Sequence, residues 1–120
     1  MEYMLMFYES KVEFARRDEN PVTSTYWGAW GAYMQAINEA GVATGNGNAL
    51  QPPDTGTSVR LKDGKRHVQD GPFADAKEQL GGYLIIEVPS LDQALEWASR
   101  APCAAHGGVE VRPVLDMGGK

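Results

Sequence analysis

Apolar residues in this chain gather in short blocks whose period changes from one block to the next. Residues 2–8, "EYMLMFY", form a compact apolar run that predicts a buried strand. The polar segment "ESKVEFARRDEN" reads as a loop. Asn20-Pro21 has the form of a helix start, because Asn caps free amides and Pro at the first position has no amide to leave unpaired. Trp27, Trp30, Met34 and Ile37 recur at helical spacing up to Gly41, which predicts a helix over 21–40. Gly28 and Gly31 inside it each cost about 1 kcal/mol relative to Ala, which implies close backbone packing.

"GVATGNGNALQPPDTG" allows a short strand near Val42–Thr44 and then an irregular excursion. The clearest local signal follows: "TSVRLK" and "KRHVQ" flank Asp63-Gly64, the pair favoured in a two-residue type I′ turn. That turn sets Lys62 against Lys65, Leu61 against Arg66, Arg60 against His67 and Val59 against Val68. Val59, Leu61 and Val68 then share one face, and Asp70 falls on it opposite Thr57. Pro72 drives Gly71 toward extended geometry and ends the ladder, leaving Phe73 to anchor the loop in the core.

"GGYLIIEV" over 81–88 predicts a second buried strand. Ser90 with Gln93 has the capping-box pattern, and Leu91, Ala94, Leu95 and Ala98 form an apolar stripe, so a helix runs over 91–100 and stops at Pro102. "GVEVRPV" alternates and supplies the last strand. The order strand, helix, strand, hairpin, strand, helix, strand predicts one α+β domain over 1–120, with a mainly antiparallel sheet and two helices on one face. An apolar second face would call for a partner subunit, so a homodimer is expected.

Composition narrows the setting. The 120 residues are 42% hydrophobic, enough for one modest core. Cys103 is the sole cysteine, so no internal disulfide forms; it reads as a small filler in a reduced, cytoplasmic protein. A net charge of −5 with dispersed Lys and Arg argues against direct nucleic-acid binding. The apolar start is too short for a signal segment, and no run is long enough to cross a membrane.

The segment "DGPF" at 70–73, followed by "ADAKEQLGGYLIIEVPSLDQALEWASRAP" and "GGVEVRPV", resembles the DGPF branch of the YCII-related family. "YMLMFY" and "LQPP" fit as well, so the resemblance covers nearly the whole chain. It implies a ferredoxin-like α+β fold that dimerises as an α/β barrel, with a cleft between sheet and partner. Bacterial members are often encoded near extracytoplasmic-function sigma factors, which implies a regulatory link. In the wider family a His near the first helix and an Asp in an Asp-Pro step after the second form the implied catalytic pair. Here that step reads Ala101-Pro102 and no His precedes His67, so the pair is absent from those places. Any site must use the added hairpin and the DGPF loop.

Asp70 leads the candidates. At the rim of an apolar cleft its carboxylate would act as a general acid or base; alternatively it caps the following turn, the reading that Asx residues in turns favour. Lys77 and Glu78 would hold a substrate carboxylate and move a proton, or lie solvated. Arg60 and His67 form a cross-strand pair suited to an anion, or an exposed polar hairpin face. Tyr26, Trp27, Trp30 and Tyr33 line a pocket or fill the core, Phe73 and Tyr83 lie beside the same cleft, and His106 reads as a loop residue. No metal-ligand spacing, phosphate loop or dinucleotide fingerprint appears, so no cofactor is expected.

Three functions fit these residues. One is a cofactor-independent lyase or isomerase working by proton transfer on a small organic molecule, with Asp70, Lys77 and Glu78 as the chemical groups. Another is a non-catalytic ligand-binding or regulatory dimer. The third is a protein-partner role linked to transcription without DNA contact.

Overall fold

The computed structural model describes residues 1–74 and 76–118. Strand β1 (Glu2–Ser10) alternates strictly, with Tyr3, Leu5, Phe7 and Glu9 turned inward. It leads directly into helix α1 (Lys11–Ala15) and a 3-10 turn at Arg16–Asp18. The sequence reading has a loop here. The helix is only five residues long, too short to show a period, and its start is set by Ser10, whose hydroxyl accepts from the Glu13 amide at 3.3 Å.

Helix α2 (Thr25–Glu39) begins four residues later than Asn20-Pro21 suggests. Asn20 Oδ1 accepts from the Val22 amide at 2.8 Å and so closes a separate turn around Pro21. Ser24 is the cap, its hydroxyl accepting from the amides of Tyr26 and Trp27. Strand β2 (Ala43–Ala49) follows, then β3 (Thr57–Lys62), β4 (Lys65–Asp70) and β5 (Glu78–Glu87). Helix α3 (Leu91–Ser99) is capped by Ser90 as its pattern predicts, and β6 (Gly108–Pro113) ends the fold.

Four strands form an antiparallel sheet in the order β2-β5-β1-β6, the ferredoxin-like arrangement once the inserted hairpin is set aside. The helices cover one face. Leu5, Ile37 and Ile86 are fully enclosed there, and the Tyr33 hydroxyl donates to the Trp97 carbonyl at 2.8 Å, tying α2 to α3. Burying each such aliphatic side chain contributes about 1.5–3 kcal/mol. Gly28 and Gly31 do not mark a close approach: a Cβ on either would meet nothing within 4 Å, and both face outward. The opposite face of the sheet carries Met4, Met6, Tyr8, Tyr83 and Ile85, all half-buried, and none of the helices among the described residues covers it.

Strands β3 and β4 stand apart as a two-stranded sheet in the expected register, Thr57 against Asp70 included. Asp63 and Gly64 both take positive φ, 53° and 74°, as a type I′ turn requires. Gly71 departs from the expectation of extended geometry. Its φ is +79°, a conformation open to glycine, and its amide donates to the Gly56 carbonyl at 2.7 Å. Phe73 also departs: it is 52% exposed, and Arg60 Cζ lies 3.9 Å from its ring centroid, so it stacks on the hairpin rather than anchoring in the core.

Candidate functional site

The inward alternation of β1 ends on an acid. Glu9 is only 3% exposed, which requires a partner for its carboxylate. The Tyr26 hydroxyl donates to it, 2.8 Å from one oxygen and 3.0 Å from the other, and Arg17 Nη2 lies 3.4 Å from Oε1. Burial pushes the Tyr26 phenol up to about 12, with the neighbouring Glu9 carboxylate adding to the rise, so Tyr26 remains a donor at neutral pH.

Arg17 reaches this corner from the 3-10 turn. Its guanidinium also donates to the carbonyls of Gly81, at 2.9 Å, and Leu50, and it stacks over the Phe14 ring. The glycine pair at the head of "GGYLIIEV" makes this possible. A register shift between Phe7 and Tyr8 bulges β5 at this point. A Cβ on Gly81 would lie 2.9 Å from Arg17 Nη2 and 3.1 Å from Glu9 Oε1, and one on Gly82 would lie 2.9 Å from the Asn48 carbonyl.

Beside Glu9 opens a cleft of about 350 Å³. Its apolar walls include Phe7, Trp27, Trp30, Met34 and Leu84. Trp30 packs edge-on against Phe7 at 5.1 Å, which holds its ring, and its buried indole N–H has no acceptor among the described residues. The Trp27 indole donates to the Arg17 carbonyl at 3.1 Å, so α2 and the turn are joined at the cleft mouth. A second, wider groove of about 1030 Å³ lies under the hairpin base and shares Arg17 and Ala49 with the cleft.

The structure separates the residues singled out from sequence. Trp27, Trp30 and Tyr83 contribute to the cleft, with the Tyr83 hydroxyl accepting from Asn48 Nδ2 at 3.0 Å. Asp70 and Phe73 line the wider groove instead. Among the described residues Asp70 accepts no hydrogen bond, since the Gly71 amide is taken by Gly56. Arg60 and His67 project from the other face of the hairpin; Lys77 and Glu78 are exposed and border neither cavity. His106 lies 4.0 Å from Glu13, away from the cleft.

Glu9 and Arg17 are the residues that sequence reasoning missed. The alternation of β1 held the signal for Glu9, since extending Tyr3, Leu5 and Phe7 by two places turns it inward. Arg17 had none, because its hydrogen-bond partners are 8 to 64 residues away. Cys103 is buried, and its thiol is pushed up to about 12 by burial and, secondarily, by the Glu9 carboxylate, which fits a filler and not a nucleophile. Among the described residues no cluster of His, Cys, Asp and Glu is suited to a metal, and no helix is long and apolar enough to cross a membrane.

Comparison with known proteins agrees with this architecture. An uncharacterised protein of Rhizobium meliloti (strain 1021) is 42% identical over 67 residues, a match spanning 54% of each chain, so about half the relative's length. The 5-chloro-2-hydroxyhydroquinone dehydrochlorinase of Burkholderia phenoliruptrix, solved in complex with 2,5-dihydroxybenzoquinone, superposes with a TM-score of 0.54. That alignment covers 96% of this chain and 94% of the other at 17% identity, a likeness of fold. The YCII-related domain model matches residues 1–118, and the chain belongs to the YCII-related family.

Proposed function

We propose that this protein acts on a small planar organic molecule held in the cleft beside Glu9, moving a proton as a cofactor-independent lyase or isomerase. The observation that carries the reading is a buried carboxylate opening onto an aromatic-walled cavity of about 350 Å³. Trp27, Trp30 and Phe7 offer flat apolar walls to a ring. Glu9 takes a proton from the substrate and returns it, or lets it go with a leaving group. Tyr26 and Arg17 hold that carboxylate in place. The resemblance of fold to a dehydrochlorinase supports ring compounds as the first class to try.

The protein works as a cytoplasmic homodimer in this reading, with the uncovered sheet faces of two copies packed together in a barrel. Their half-buried Met4, Met6, Tyr8 and Ile85 support it, since an apolar sheet face without a covering layer is a usual site of association. Asp70 remains the second candidate carboxylate, serving the adjoining groove.

A panel of hydroxylated and chlorinated benzenes and quinones, followed by absorbance and chloride release, tests the enzyme. Glu9→Gln should retain ligand binding and lose turnover by about 100-fold or more. Unchanged turnover in that variant would rule Glu9 out as the proton carrier. One observation favours the alternative, a non-catalytic binder: both Glu9 oxygens already accept from Tyr26. Ligand binding with no turnover of any bound compound would establish that second reading.

A further inference from the structure

We infer that Trp30 is the specificity-determining donor of the cleft: its indole N–H binds an oxygen carried by the ring, so that rings bearing a carbonyl or hydroxyl oxygen are selected over rings that lack one. The inference rests on the ring-binding reading above and names the group by which the ring is chosen.

Among the described residues two buried side-chain polar atoms have no hydrogen-bond partner, Trp30 Nε1 and Arg17 Nε. Both belong to residues that line the cleft, and both are donors. The other donors of the site are engaged. The Trp27 indole donates to the Arg17 carbonyl, the Tyr26 hydroxyl to Glu9, and the Arg17 Nη atoms to Gly81, Leu50 and Glu9. A buried donor without an acceptor is costly in free energy, and an acceptor brought to it recovers that cost. The cleft therefore lacks an acceptor, and its apolar walls supply none.

Of the two donors, Trp30 is the one that meets the ring. Its indole is part of the cleft wall, half-buried and packed edge-on against Phe7 at 5.1 Å and Tyr33 at 6.0 Å. Arg17 is instead fixed in the corner by its three acceptors. The Trp30 N–H is closed to water, so an incoming oxygen reaches it through a shift of the wall. Met34 stands one turn further along α2, lines the same cleft, and has an unbranched thioether side chain that adapts to such a shift. The donor is uncharged, which suits a carbonyl or phenol oxygen. A ring bearing only carbon, or carbon and chlorine, leaves the N–H as it is in the empty cleft.

Calorimetric titration of the wild type and Trp30→Phe with three pairs of matched shape tests the donor: phenol and toluene, catechol and o-xylene, acetophenone and α-methylstyrene. Phe keeps an aromatic wall and removes the N–H. The ratio of Kd values within a pair, hydrocarbon over oxygen compound, should fall about 10-fold or more in Trp30→Phe. In the 15N-labelled wild type, saturation with an oxygen compound should move the Trp30 indole proton downfield relative to its hydrocarbon counterpart. The Trp27 indole, already bonded to the Arg17 carbonyl, should stay in place. The spectrum of the wild type carries the test even if Trp30→Phe fails to fold. An unchanged ratio, or a Trp30 resonance unmoved at saturation, would overturn the donor role and leave the ring-binding reading standing. Failure of the wild type to bind any of the six compounds would overturn both.

Discussion

The Glu9 corner and the hairpin are opposites in how they are held. The hairpin is specified locally: a two-residue turn, two strands and an alternating pattern set every pair in it, yet none of its side chains enters the core. The corner is specified over long range. Glu9, Arg17, Tyr26 and Gly81 come from four segments and make sense only when assembled. Local chemistry decides conformation, and long-range packing decides where a buried charge can exist.

Substitution should separate the two regions sharply. Glu9→Ala leaves the Arg17 guanidinium without its buried partner, and denaturant unfolding should show a loss of roughly 3–5 kcal/mol. Leu5→Ala opens the core on the same strand at a cost of about 2–5 kcal/mol by the same measurement. Gly81→Ala pushes a methyl against Arg17 and Glu9, and should cost about 1–3 kcal/mol while disturbing the cleft. If Gly81→Ala were neutral, the corner would be less tightly packed than its distances indicate.

Alkaline pH offers a titration of the packed region alone. Cys103 is raised from 9.0 to about 12 and Tyr26 from 10.0 to about 12, so the folded state holds both protons more tightly than the unfolded chain. Their stabilisation is complete below the unfolded values and is lost as pH rises from about 9 toward 12. Thermal unfolding should show this decline, and Cys103→Ala should make it shallower. The smallest effect belongs to the hairpin: Lys62→Ala on it should shift the folding stability by less than about 0.5 kcal/mol.

Much of the fold was legible because its signals are local. The β1 and β5 runs, the Ser90 cap and the Asp63-Gly64 turn each name an element within a few residues. Helix α1 was not legible, because five residues cannot display a period. The start of α2 was displaced because Asn20 and Ser24 offer two capping chemistries in succession and the second one wins. The site was legible only in its walls. Trp27 and Trp30 stand out by type and spacing, whereas Glu9 hides at the end of a strand and Arg17 in a polar turn. Asp70, the most conspicuous carboxylate in sequence, lines the neighbouring groove instead of this cleft.

The most direct test is a calorimetric titration of dihydroxybenzenes and their quinones, 2,5-dihydroxybenzoquinone among them, into wild type and Met34→Trp. Met34 lines the cleft, and the larger ring would fill it. The account predicts saturable binding of at least one ring compound to the wild type and its loss in Met34→Trp, with Leu61→Asp binding as the wild type does. Equal binding to the filled variant, or no binding of any ring compound, would contradict it.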